Sequence, residues 1–173
     1  YGAIGSVIGH EITHGFDDDG SKFDAKGNMK NWWTPADRKR FMKKAKIIEK
    51  QFGEYTVADG VKVNGRLTLG ENIADLGGVS IALDAYRLRY GTEEVKDKNG
   101  FTTTERFFLA FSLFERGHSR PEVEKLAALT DPHSPDKFRI NGTLANVEDF
   151  YKTYNVTAKD KMYRAPNIRA KIW

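Results

Sequence analysis

The 173-residue chain contains no cysteine. That absence removes disulfides, cysteine-ligated zinc and thiol nucleophiles together, and it fits a reducing compartment. Long apolar runs are missing as well. No stretch approaches the roughly 20 residues a membrane helix needs, and mean hydropathy is −0.59, so the chain is expected to be soluble as it stands. There is no repeat period and no low-complexity tract, and 91–101 is the only linker-like stretch. An initiating Met and a polar lead-in are also lacking: Tyr1 to Ile8 opens directly into an apolar segment. The expectation is a single domain, residues 1–173, forming the C-terminal part of a larger protein, with any targeting region elsewhere. Excess charge is modest, at +4 with a pI of 9.2. The densest basic run, Arg38 to Lys46, reads as the solvated face of a helix, since no nucleic-acid motif accompanies it.

Histidine is scarce, with four in the chain, yet two of them stand in Gly9-His10-Glu11-Ile12-Thr13-His14-Gly15. On a helix, residues four apart share a face, so His10 and His14 can present two imidazoles to one cation. Zinc accepts neutral imidazole nitrogen and keeps a water position when three protein ligands are supplied. Glu11, on the same open side, can take a proton from that water as it attacks a carbonyl. A shuffled chain of this composition would show H-E-x-x-H roughly 0.6% of the time. Two helix histidines satisfied by ordinary neighbours are the bland alternative.

Downstream, Asp17-Asp18-Asp19-Gly20 reads as a turn. A calcium loop is rejected because its twelfth position would be Lys26, where a bidentate Glu is required. One of these aspartates is better placed to receive the second ring N–H of a metal-bound histidine. Thr34-Pro35-Ala36-Asp37 predicts a capped helix with Phe41, Ala45, Ile48 and Phe52 inward. Between Tyr55 and Leu69, Asp59-Gly60, Asn64-Gly65 and the alternation of Val61, Val63, Leu67 and Leu69 predict a short β-hairpin.

Gly70-Glu71-Asn72-Ile73-Ala74-Asp75 follows. A helix starting near Gly70 puts Glu71 and Asp75 on one face, so Glu71 can be the third ligand and Asp75 can brace an imidazole, most simply that of His10. Alone, this pair would read as a solvent-facing E-x-x-x-D. Thr102 to Glu105 caps a further helix whose Phe107, Phe108, Phe111, Leu113 and Phe114 make it a core element, a pocket wall, or both. Ser119 to Leu129 and Asn146 to Tyr154 are shorter helices. Residues 161–173 form an extended tail with Trp173 docked on the body. Asp131-Pro132-His133-Ser134-Pro135, continuing through Arg139 to Gly142, reads as a rigid loop. From it His133 can donate to a developing oxyanion and Arg139 can hold a carbonyl or carboxylate. Taken singly, both would be ordinary surface residues.

The succession H-E-I-T-H-G-F-D-D, G-E-N-I-A-D, D-P-H-S-P-x-x-F-R-I-N-G-T-L-A-N and a terminal Trp resembles the neprilysin family of zinc metallopeptidases, especially its bacterial oligopeptidase O members. The resemblance spans essentially the whole chain. It implies a mainly α, gluzincin-like catalytic subdomain binding one zinc ion through His10, His14 and Glu71. Glu11 would be the general base, Asp75 would orient His10, His133 would stabilise the transition state and Arg139 would grip the substrate backbone. Val7, Leu113 and Phe114 fall at positions of a hydrophobic substrate pocket, with Ser6 replacing a bulkier residue. Short peptides cut on the amino side of hydrophobic residues are the implied substrates. The family's substrate-pairing Asn-Ala-aromatic segment and its second domain are absent, so this piece is expected to bind zinc but to cleave weakly or not at all by itself. Secreted relatives carry cysteines, one of them usually where Glu115 stands, which favours a cytoplasmic bacterial protein. A non-catalytic zinc-stapled module that binds peptides or partners is the competing expectation.

Overall fold

The computed structural model describes residues 1–172 and is built almost entirely from helices. Seven α-helices follow in chain order: α1 (Ile4–His14), α2 (Pro35–Gly53), α3 (Leu69–Tyr90), α4 (Thr103–Phe114), α5 (Pro121–Thr130), α6 (Asp136–Leu144) and α7 (Glu148–Tyr154). Among the described residues no helix is long and apolar enough to cross a membrane. The expected docking of Trp173 lies outside the described residues.

Local chemistry sets the helix starts. The Thr34 side chain accepts from Asp37 N ahead of Pro35, and Thr102 forms a complete capping box with Glu105. α3 is the central element. Leu69, Ile73, Val79, Ala82 and Leu83 are buried along it, meeting Ile48 and Phe52 of α2 and Phe108 and Phe111 of α4 in one core. α1 lies along α3, while α2 and α6 pack on α3 elsewhere.

The α1–α3 crossing is unusually close because glycine faces glycine. A Cβ on Gly78 would lie 2.4 Å from Ser6 O and 2.8 Å from His10 N, and one on Gly9 would lie 2.9 Å from Gly78 Cα. Only hydrogen in place of a side chain lets the two backbones meet there. His10 follows Gly9 directly, and Asp75 sits one turn before Gly78, so this contact is also what brings the two charged faces together.

Two expectations are corrected. No sheet forms among the described residues, and the 55–69 hairpin reduces to a single antiparallel bridge, Thr56 with Lys62. The Asp59-Gly60 turn is real, with both residues at positive φ (58° and 74°). Beyond it, Asn64 N pairs with Ala128 O, and Asn64 O receives Thr68 N, so the chain turns into α3 instead of returning as a strand. A two-stranded ribbon with no third strand gains too little to persist. The second correction concerns 131–142: only 131–135 is loop. Pro135 caps α6, and Asp136 sits in its first turn, where an acid suits the positive helix end.

Candidate metal and catalytic site

Three side chains converge where α1 crosses the start of α3. His10 Nε2 is 2.9 Å from His14 Nε2 and 3.2 Å from Glu71 Oε2, and His14 Nε2 is 3.6 Å from Glu71 Oε1. Four tetrahedral ligands at zinc distances of about 2.0–2.1 Å stand about 3.3–3.4 Å from one another, so the two Nε2 atoms and the carboxylate, with a different oxygen facing each ring, are spaced about as the ligands of one ion are. His10, His14 and Glu71 are the one cluster of this kind among the described residues.

Protonation reinforces the geometry. His10 Nδ1 is 2.8 Å from Asp75 Oδ1, and His14 Nδ1 is 2.7 Å from Asp17 Oδ2. A ring whose Nδ1–H points at a carboxylate turns a bare Nε2 lone pair the other way, so the two rings aim lone pairs at the same point. Glu71 Oε2 is buried beside them, 3.2 Å from His10 Nε2, and has no hydrogen bond while that nitrogen carries no proton. A cation satisfies all three acceptors. Without one, His10 holds a second proton instead: burial alone would depress its pKa, but hydrogen bonds to Asp75 and then Glu71 outweigh it and push the value up to about 9.

The aspartate of the early turn that braces a histidine is Asp17. Its Oδ1 accepts from the backbone N of Asp19 and Gly20, so one oxygen folds its own loop while the other orients His14. Asp75 has the mirrored duty on α3. Burial raises its pKa, but its hydrogen bonds to His10 and Arg139 prevail and hold it below the usual carboxylate value. Arg139 Nε donates to Asp75 Oδ2 and Arg139 Nη2 to Asp75 Oδ1, a two-pronged contact at 2.9 and 2.7 Å. Arg139 Nη1 lies 3.4 Å from Glu115 Oε2. Burial disfavours the Arg139 charge, but Asp75 overcomes this and shifts its pKa upward.

A cavity of about 180 Å³ opens beside this cluster, lined by Ser6, Val7, His10, Glu11, Asp75, Phe111, Phe114, Glu115, His133 and Arg139. Glu11 is solvent-accessible on this side. His133 reaches in from the 131–135 loop, with Nε2 3.3 Å from Glu71 Oε2 and Nδ1 2.9 Å from Asp131 Oδ1. Val7 and Phe114 are on the wall, but Leu113 is not: it is 60% exposed, and Phe111, buried on the inner face of α4, takes the inward place. Sequence reasoning missed Glu115 as a cavity wall, the Asp131 contact to His133 and the clasp of Asp75 on Arg139. The D-P-H spacing carried a signal for Asp131, since an Asp side chain commonly folds back onto the backbone two residues on. Pairings across more than 60 residues left none.

Residues 1–170 match the model of Peptidase family M13. The chain belongs to this family, the neprilysin family of zinc metallopeptidases. It is 44% identical over 160 residues to neprilysin-11 of Caenorhabditis elegans, covering 89% of this chain and 19% of that protein. It is 42% identical to neprilysin-2 of Drosophila melanogaster over 177 residues, covering all of this chain and 23% of that protein. A crystal structure of the Mycobacterium tuberculosis zinc metalloprotease Zmp1 in complex with an inhibitor superposes with a TM-score of 0.95 at 42% identity, covering 100% of this chain and 27% of that one. PepO from Lactobacillus rhamnosis gives 0.84 at 37%, covering 98% and 25%. The M13 chain described here thus spans between 19% and 24% of the length of the curated relatives it matches.

Proposed function

We propose that this chain carries the catalytic centre of a zinc-dependent endopeptidase, as the C-terminal portion of a larger two-domain enzyme acting on short peptides. The observation that carries the reading is the donor cluster: two imidazole Nε2 atoms 2.9 Å apart, with the Glu71 carboxylate 3.2 Å from one and 3.6 Å from the other, and each imidazole backed by its own aspartate. His10, His14 and Glu71 would hold a single zinc ion. Bound there, zinc supplies a lowered water pKa and a polarised substrate carbonyl.

The chain's own residues do the rest. Glu11, exposed on the cavity side, accepts the proton of the attacking water and returns it to the leaving amine. His133 donates through Nε2 to the oxygen on which charge develops; with Nδ1 directed to Asp131, that donation needs a proton on both ring nitrogens. Arg139, immobilised by Asp75 and with Nη1 3.4 Å from Glu115 Oε2, lines the cavity as the cation that holds a substrate carbonyl. Val7, Phe111 and Phe114 give one wall an apolar character, which supports cleavage on the amino side of hydrophobic residues.

Glu11→Gln separates an enzyme from a zinc-stapled binding module, because a purely structural ion needs no carboxylate base on its open side. In the full-length parent, one zinc per chain should be retained while peptide turnover falls at least about a hundredfold. Unchanged turnover would refute the assigned mechanism.

A further inference from the structure

His133 enters the site from 131–135, a segment with no helix of its own, and its placement depends on how that loop is tied down. One tie is local. Asp131 Oδ1 accepts both the backbone N and the Nδ1 of His133, at 2.8 and 2.9 Å, which orients the ring relative to its own backbone but fastens the loop to nothing else. At its start the loop is held by Asp131 N donating to Ala127 O, and past His133 a second tie crosses 62 residues: Ser134 Oγ donates to Asn72 Oδ1 at 2.9 Å. Asn72 Nδ2 donates in turn to Thr68 Oγ1 at 3.0 Å, and Thr68 Oγ1 to Asn64 O at 3.1 Å. Ser134, Asn72 and Thr68 are 2%, 1% and 0% exposed. These bonds are closed to bulk solvent, and neither Ser134 nor Asn72 can reach a substrate.

Asn72 directly follows Glu71 on α3. The anchor of the loop and the carboxylate beside His133 Nε2 are thus carried by one helical turn, which fixes the ring's position relative to the donor cluster.

We infer that Asn72 and Ser134 are positioning residues that hold His133 in register with His10, His14 and Glu71, so that its Nε2 meets the oxyanion. The inference rests on the zinc-peptidase reading and deepens it. Misplacing a catalytic group by about 1 Å can cost about a hundredfold in rate. Removing one hydroxyl at the far end of a short loop should cost less, about tenfold.

The test, made in the full-length parent, compares wild type, Ser134→Ala, His133→Ala and the double variant. It measures zinc affinity, affinity for a phosphonate peptide whose anionic oxygen takes the oxyanion's place, and kcat and KM on a peptide substrate. Ser134→Ala should keep zinc affinity within about twofold while phosphonate affinity and kcat each fall about tenfold at little-changed KM. In the His133→Ala background it should cause no further loss, since the two residues act as one unit. Ser134→Cys, near-isosteric and a weak donor, should lie between wild type and Ser134→Ala and guards against a folding defect. The inference is overturned if Ser134→Ala behaves as wild type, if zinc and phosphonate affinity fall together, which would place the effect on Glu71, or if the losses add in the double variant. Failure of the underlying reading looks different: wild type would take up no zinc, or would bind the phosphonate equally with and without it.

Discussion

Replacing Gly78 by alanine tests whether the close helix crossing holds the metal geometry, and the sign of the stability change decides the matter. Within a helix, alanine is intrinsically better than glycine by about 1 kcal/mol, so an unconstrained Gly78 would tolerate the change and gain. In this fold the new methyl would lie 2.4 Å from Ser6 O, 2.8 Å from His10 N and 3.1 Å from His10 Cα. Ordinary contact with that oxygen needs about 1 Å more, and all three obstacles are backbone, so the helices must separate. Overpacking of this kind costs about 1–3 kcal/mol or more, enough to cancel or reverse the intrinsic gain. A 1 Å displacement is also several times the roughly 0.2 Å tolerance of metal–ligand distances, so zinc affinity should drop by at least about tenfold. Thermal unfolding of the metal-free and zinc-loaded protein, with a chelator-competition titration, reads both effects. A more stable variant with unaltered zinc affinity would refute the reasoning.

Zinc affinity should rise about tenfold per pH unit between pH 6 and 8, because His10 holds a proton up to about pH 9 when no metal is present, and binding must displace it. The same raised pKa makes the His10 contacts with Asp75 and Glu71 stabilising below about 6.5 and progressively lost as pH climbs through about 9. Metal-free protein should therefore lose up to about 3 kcal/mol across that window, a loss the zinc-loaded form should not show in parallel melts. Asp17→Ala should lower zinc affinity about 10–100-fold by freeing the His14 ring, as measured by competition with a chromophoric chelator. Asn146→Ala should destabilise by about 2–4 kcal/mol in urea unfolding, since it removes the partner of Gln51 Oε1 and Ala170 N and one of the two donors to Gly142 O in the core, while leaving zinc affinity unchanged.

Features that depend on neighbours three or four residues away were legible before any coordinates. The His10–His14 and Glu71–Asp75 pairs, the caps at Thr34 and Thr102, and the inward stripe of α2 are such features, because helical periodicity converts spacing directly into position. What escaped is what depends on pairing distant segments. The Gly9–Gly78 contact, the Ser134–Asn72 bond and the carboxylates on Arg139 have no periodic trace, and each needed two helices to be docked first. The false hairpin arose because Val61 and Val63 alternate as a strand does, while Leu67 and Leu69 already belong to the entry of α3. The same limit explains α6. Two prolines near His133 suggested stiffness throughout, yet the second stands at the cap of a helix that carries Arg139 to Asp75.

Asp75 divides its two oxygens between an imidazole and a guanidinium: Oδ1 receives both His10 and Arg139, and Oδ2 receives Arg139 alone. A pull on the arginine side is therefore felt by the ring on the other side, and reciprocity requires the reverse. On the zinc-peptidase reading proposed above, loading the ion and seating a peptide would be linked events, coupled through one shared carboxylate.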